Sequence, residues 1–300
     1  MIRPNYLKEG AAIAIVSTAR KITTEELQPF LQLIKNWGLK AVLGDTIDTE
    51  DHQYAGDDAL RTKDFQDALN NPEIKAIWCA RGGYGTVRII DDLDFSEFVK
   101  KPKWIIGYSD VTVLHSHIHN LGVETLHANM AMEMDVKTAA TRNSPFEVLF
   151  GNNYQVKYPS NHSFNRKGTV SGTLVGGNLS ILYSLIGSPS HIDTDGKILF
   201  IEDLDEMLYH LDRMMQSLKR SGMLSNIKGL IVGGMNDMND NTIPFGKSAE
   251  ESIRELVSTY NFPLCFGFPA GHVNDNQALI LGREVQFEVT EKEVTLRFNK

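Results

Sequence analysis

The sequence predicts an α/β protein with an N-terminal parallel, Rossmann-like domain and a C-terminal mixed, strand-rich α/β domain. Three observations carry that expectation. In the first half, short unbroken apolar runs of strand length alternate with segments whose apolar residues recur at helical spacing, the pattern of a parallel sheet covered on both faces. From Gly151 to Lys167 the chain turns polar and aromatic and loses helical periodicity, as a linker does. Towards its end it alternates in short strands separated by polar residues. A chain of 300 residues also exceeds what one ordinary core holds comfortably. The expected boundaries are 1–155 for the first domain, 156–168 for a linker and 169–300 for the second domain.

An apolar fraction of 42 % and a charged fraction of 23 % are those of a soluble globular protein. A net charge of −8 with no long basic run argues against a nucleic-acid partner. The N-terminus has no long apolar stretch after its early arginine, and no window approaches membrane-spanning length, so no membrane association and a cytoplasmic location are expected. The two cysteines, Cys79 and Cys265, suit a reducing compartment and read as buried thiols. Cys79 lies within Ile77-Trp78-Cys79-Ala80, which favours packing over nucleophilic chemistry.

Along the chain, Ala11 to Ser17 is the first strand. A helix starts at Thr24, with Glu25 and Glu26 in its first turn and Gln28 nearby, and runs to Trp37 before Gly38. Lys40 to Leu43 is a strand, and Arg61 to Leu69 a helix ended by Asn71-Pro72. Ile74 to Ala80 is a buried strand, followed at once by Arg81-Gly82-Gly83-Tyr84-Gly85 and a helix through Val87, Ile89 and Ile90. Trp104 to Ile106 is the next strand, and Val111, Leu114, Ile118 and Leu121 then keep helical spacing up to Gly122.

In the second half, Thr169 to Val175 alternates as a strand, and Gly176-Gly177-Asn178 opens a helix through Leu182 and Leu185. Lys197 to Ile201 is a buried strand ending in Glu202 and Asp203. Helices are expected over Leu208–Leu218 and Ile253–Tyr260, and strands at Gly229–Val232, Leu264–Phe268, Val285–Val289 and Val294–Phe298.

A strand that ends in Gly107-Tyr108-Ser109 and turns straight into a helix puts Ser109 on a sharp corner, with its hydroxyl outward, as in a nucleophile elbow. The N–H of Asp110, the residue after the nucleophile, would then help hold an oxyanion. The second glycine of G-x-S-x-G is missing, since Val111 stands there, so helix capping by Ser109 and Asp110 is the competing reading. The glycine loop that follows the preceding strand lacks the third glycine of a dinucleotide fingerprint, with Arg88 in its place, and lacks a phosphate-cradling Lys-Ser or Lys-Thr. It reads as a loop whose N–H groups approach a substrate oxygen, with Gly83 as second oxyanion donor, or else as a simple tight turn. His115 and His119 stand four apart on one helix face, but no HExxH pattern or placed third ligand accompanies them, so no metal and no cofactor are expected. Glu202 and His272 each follow a strand, where a rigid scaffold fixes a side chain's direction. The plain alternative makes them a solvated strand end and a turn histidine.

Taken together and in order, KAIWCARGGYG, IIGYSDVT, LVGGNLS, FIEDLDE and GFPAGH resemble the LD-carboxypeptidase family of serine peptidases over nearly the full chain. The resemblance implies a Ser/Glu/His triad at Ser109, Glu202 and His272, and an oxyanion hole made by the backbone N–H groups of Gly83 and Asp110. It implies a cytoplasmic, commonly homodimeric enzyme that removes the terminal D-alanine from the tetrapeptide of recycled murein by cutting an L-to-D amide bond. Arg81, beside the glycine loop, is expected either to pair with the substrate's terminal carboxylate or to serve only the folding of that loop. The alternatives are a relative that hydrolyses peptidyl-nucleotide antibiotics of the microcin C type with the same triad, and a noncatalytic two-domain small-molecule binding protein. A metal hydrolase using the histidines of HSHIH is a third.

Overall fold

The computed structural model describes residues 1–299. The first half contains strands β1 (Ala12–Val16), β2 (Lys40–Leu43), β3 (Ile74–Cys79), β4 (Trp104–Gly107) and β5 (Thr125–His127). Its helices are α1 (Thr24–Asn36), α2 (Asp58–Asn70), α3 (Ser96–Lys100), α4 (Thr112–Asn120) and α5 (Ala139–Leu149). The second half contains β6 (Gln155–Pro159), β7 (Gly168–Asn178), β8 (Ile198–Leu204), β9 (Gly229–Asn236) and β10 (Leu264–Cys265). It continues with β11 (Leu279–Leu281), β12 (Glu284–Val289) and β13 (Glu293–Phe298), and its helices are α6 (Leu179–Ser184), α7 (Leu208–Arg220) and α8 (Ala249–Leu256).

The strands form two sheets. The first has the order β11-β5-β4-β3-β1-β2 and is parallel except for β11. The second has the order β10-β9-β8-β7-β12-β13-β6; its β10, β9, β8 and β7 run parallel and the rest antiparallel. This is the α/β class expected, with a parallel-rich sheet first and a mixed one second.

The apolar runs form buried strands because each supplies both faces of a covered sheet. Ile13, Ile15, Trp78, Trp104 and Ile106 pack on one face with Phe30 and Ile34 of α1. Ala14, Val16, Ile77, Cys79 and Ile105 pack on the other with Phe65 of α2 and Leu114 of α4. Both cysteines are free and buried, and burial pushes each thiol up to about 12. In the second sheet, Leu199 and Ile201 face Leu211, Met214 and Ile253 of the helices, while Phe200 and Ile231 face Leu279 and Leu281 of β11.

Locally, one expectation is sharpened and three change. The helix α1 starts at Thr24 as expected, capped by Thr23: its hydroxyl accepts from Glu26 N at 3.2 Å and the Glu26 carboxylate accepts from Thr23 N at 2.8 Å, a capping box. The glycine loop leads into two 3-10 turns, Thr86–Arg88 and Ile90–Asp92, rather than a continuous helix. Thr86 N, the first N–H of these turns, donates to the Asp110 carboxylate at 2.9 Å. The stretch 151–167 contains β6, paired with β13, so part of the expected linker is an edge strand of the second sheet. Finally, β11 comes from the second half but pairs antiparallel with β5, placing a C-terminal segment at the edge of the first sheet. Among the described residues, no helix is long and apolar enough to cross a membrane.

Candidate active site

A cleft of about 540 Å³ opens where the carboxyl ends of strands from both sheets meet. Ser109 follows β4, Gly83 follows β3, Arg20 follows β1, and Asp203 and His272 come from the second half. Ligand sites of parallel sheets belong at such strand ends. A larger groove, about 750 Å³, lies at the opposite end of the first sheet between the 2–11 and 100–103 segments and contains none of the predicted site residues.

Ser109 has φ of 60°, in the left-handed region that a side chain ordinarily avoids. Such strain persists only where the surroundings impose it, and a serine held there between a strand and a helix is the corner the sequence suggested. Its support is local. His115 of α4 is fully buried, its Nε2 donating to Gly107 O at 2.9 Å, so in the neutral ring Nδ1 accepts from Thr125 Oγ1 at 2.8 Å. Burial pushes His115 down to about 4, which keeps it neutral. One histidine of HSHIH thus braces the end of β4; His119 is buried and likewise pushed down to about 4. Among the described residues, no group of three or more His, Cys, Asp or Glu side chains is placed to hold a metal ion.

The glycine loop lies against the serine. A Cβ added at Gly82 would stand 3.6 Å from Ser109 Cβ, and Gly83 has φ of 108° with the Arg20 side chain where its own would go. The loop is pinned from below by Arg61, 1 % exposed, whose Nη1 donates to Thr18 O at 2.7 Å and Gly85 O at 3.1 Å. It is pinned from the side by Asp110, whose carboxylate accepts from Thr86 N. Burial raises the Asp110 pKa, partly offset by that hydrogen bonding. The sequence reading used only the backbone of Asp110; its side chain also fixes the glycine loop relative to the serine corner.

Glu202 is fully buried in β8, and its Oε2 accepts from His272 Nδ1 at 2.6 Å and from His272 N at 3.1 Å. Its Oε1 has no partner among the described residues. The contact depends on glycine at 271: with φ of 100°, a Cβ there would stand 2.6 Å from Glu202 Cβ and Oε2. Burial lowers the His272 pKa, but the Glu202 carboxylate, through charge and hydrogen bond, and Asp203 more than offset it, so the net shift is upward. Nδ1 is committed to Glu202, which leaves Nε2 as the nitrogen available to a proton from elsewhere. Ser109 and His272 line the same cleft, with no direct hydrogen bond between them; such bonds in unliganded sites often form only with substrate.

Ser109, Gly83, Asp110, Arg81 and His272 therefore line one cleft, with Glu202 directly behind His272. Arg81 is partly engaged already: Nη1 donates to Lys21 O at 3.0 Å and stands 3.6 Å from Glu26. The sequence reading missed Arg20, Lys137 and Asp203 as cleft residues. Asp203 was visible beside Glu202 at the strand end. Burial and the neighbouring Glu202 charge raise its pKa to about 7, while Asn178 Nδ2 and Ser180 N donate to its oxygens at 2.9 Å each.

Residues 13–128 match the LD-carboxypeptidase N-terminal domain, and residues 171–287 the LD-carboxypeptidase C-terminal domain. A probable murein peptide carboxypeptidase of Bacillus subtilis is 34 % identical over 301 residues, covering 97 % of this chain and 92 % of the relative. The crystal structure of a muramoyltetrapeptide carboxypeptidase from Oxalobacter formigenes superposes with a TM-score of 0.88 at 28 % identity, covering 96 % of this chain and 99 % of that one. The microcin C7 self-immunity protein of Escherichia coli is 23 % identical, covering 97 % of this chain and 94 % of the relative.

Proposed function

The chain belongs to the LD-carboxypeptidase family, and from that premise we propose that it is a cytoplasmic serine carboxypeptidase acting on recycled murein tetrapeptides. It releases the terminal D-alanine by hydrolysing an L-to-D amide bond. One observation carries the reading. A histidine whose Nδ1 is held by a buried carboxylate at 2.6 Å borders the same cleft as a serine in a left-handed corner, although the two come from different halves of the chain.

In the proposed reaction Ser109 Oγ attacks the carbonyl on the L side of the scissile bond while His272 Nε2 takes its proton. Glu202 keeps His272 in the tautomer with hydrogen on Nδ1 and stabilises the imidazolium that forms. The N–H groups of Gly83 and Asp110 hold the oxyanion. His272 returns the proton to the departing D-alanine nitrogen, and water, activated by the same base, then clears the acyl-enzyme.

Alanine release from a tetrapeptide of defined stereochemistry, followed by mass spectrometry, tests substrate and reaction together. Ser109→Ala is expected to lower turnover by about 10⁴- to 10⁶-fold with unchanged melting behaviour. Full activity in that variant rejects the mechanism. An aminoacyl sulfamoyl adenylate as second substrate tests the microcin-type alternative: preferential hydrolysis of it over the tetrapeptide would replace the murein assignment while keeping the triad. Sedimentation of the purified protein tests the homodimer that accompanies the family reading.

A further inference from the structure

We propose that Arg20 is the residue that binds the substrate's terminal carboxylate, and so makes this enzyme require a free carboxyl end. The inference rests on the carboxypeptidase reading and adds the group that selects the substrate's end. In the bond to be cut, the carboxylate carbon lies two bonds beyond the scissile nitrogen. A cation that reads it must therefore stand in the same cleft as Ser109.

Arg20, Arg81 and Lys137 are the cations lining that cleft. Arg81 is turned towards Lys21 O and Glu26, whose carboxylate already stands 3.6 Å away. Lys137 is a single point charge on the His272 side, where it works against His272 protonation. Arg20 differs from both. Its guanidinium has no hydrogen-bond or ion-pair partner among the described residues, and it offers the planar fork that matches a carboxylate with two parallel bonds.

Its placement couples recognition to chemistry. The Arg20 stem lies along the glycine loop, with Cδ and Nε 2.6 Å from where a Gly83 side chain would begin. Arg20 N also donates to Gly82 O at 3.3 Å. The arginine and the proposed oxyanion donor thus share one support, so capturing the carboxylate places the neighbouring carbonyl beside the Gly83 N–H. Binding energy from a remote charge is then used to position the reacting centre.

The test compares a tetrapeptide ending in free D-alanine with the same peptide ending in D-alanine amide. Arg20→Gln is expected to lower kcat/KM on the free acid by about 10- to 100-fold, the loss of a charge-assisted hydrogen-bonded contact, while leaving the slower amide reaction within about threefold. Arg20→Lys should recover part of the preference. Because Arg20 is exposed, its variants should melt as the parent does. Equal losses on acid and amide overturn the assignment, as does a preference abolished by Arg81→Gln or Lys137→Gln but retained in Arg20→Gln. A parent protein that releases alanine from neither peptide overturns the carboxypeptidase reading and the role of Arg20 with it.

Discussion

Ser109 sits on a corner built from its own neighbours, whereas His272 sits on a stretch, 266–278, that contains no helix or strand and is held by distant parts of the chain. The serine corner is built mainly from β4, the start of α4 and His115, with a tie from the second sheet where Asn178 N donates to Thr112 Oγ1 at 3.0 Å. The histidine is held by Glu202 of β8, by Asn236 Nδ2 donating to His272 O at 2.6 Å, and by Asn276 Oδ1 accepting from Gly271 N at 2.9 Å. First-half residues hold it too: Thr141 Oγ1 donates to Asn274 O at 3.0 Å, and Ser144 Oγ accepts from Ala278 N at 3.0 Å. The nucleophile's geometry is thus set mostly within one sheet, and the base's geometry by the junction of both.

The sharpest way to break this contrast is to remove what aligns the histidine while leaving the corner intact. Glu202→Gln is expected to lower kcat by about 10⁴-fold, the scale seen when a triad carboxylate becomes an amide and the wrong tautomer is favoured. The pH profile should move as well. The base must be neutral to act, so kcat/KM falls as pH drops through the His272 pKa, which lies above the ordinary histidine value. In Glu202→Gln the burial that lowers this pKa remains and the main influence raising it is gone, so the acidic limb shifts to lower pH. A limb that stays in place would mean that another group sets it.

A second test separates stability from alignment. Glu124, at the start of β5, and Arg283, just after β11, form a buried two-pronged pair at 2.7 and 2.6 Å that clamps the ends of the β5–β11 pairing. Glu124→Gln leaves a buried guanidinium without its anion and is expected to cost about 3–5 kcal/mol by chemical denaturation. The three pairs Leu279↔His127, Ile280↔Leu126 and Leu281↔Thr125 still fix the register, so kcat per folded molecule should change far less than in Glu202→Gln. A collapse of kcat comparable to Glu202→Gln would show that the clamp, and not the ladder, sets the position of His272.

The same division explains what was legible in the sequence. The buried runs around β1, β3 and β4 declare themselves because a strand covered on both faces is apolar throughout, and the Ser109 corner is readable because its determinants are adjacent in the chain. Residues 202 and 272 read as strand ends, whereas Glu202 lies inside β8 and His272 in an irregular stretch well past β10, and only the family resemblance joined them, since their contact spans 70 positions. β11 escaped notice because three residues are too few for a periodic signal and its partner lies in the other half. β6 was lost in a polar stretch for the same reason: its alternation Gln155, Val156, Lys157, Tyr158 becomes meaningful only once β13 is beside it. Arg20 carried no signal at all, because nothing in its neighbourhood in the chain indicates that Gly83 will lie under its side chain.

Asp203 offers the smallest and most specific test, because it touches the base's environment without touching the base. Its pKa is raised to about 7 by burial first and then by the Glu202 charge. The folded state therefore holds this proton over a range where the unfolded chain, with a carboxyl near its ordinary value of 3.8, has released it. The folded state binds more protons than the unfolded one between those values, so Asp203 makes stability fall as pH rises from about 4 through about 7. Asp203→Asn removes that dependence while keeping an acceptor for Asn178 or Ser180. Its melting temperature should fall less than the parent's between pH 5 and pH 8. Because the Asp203 charge also helps raise the His272 pKa, the acidic limb of kcat/KM should shift in the same direction as in Glu202→Gln, but less. An unchanged stability profile would mean that Asp203 is ionised throughout, and an unchanged limb would mean that Glu202 alone governs the charge of the base.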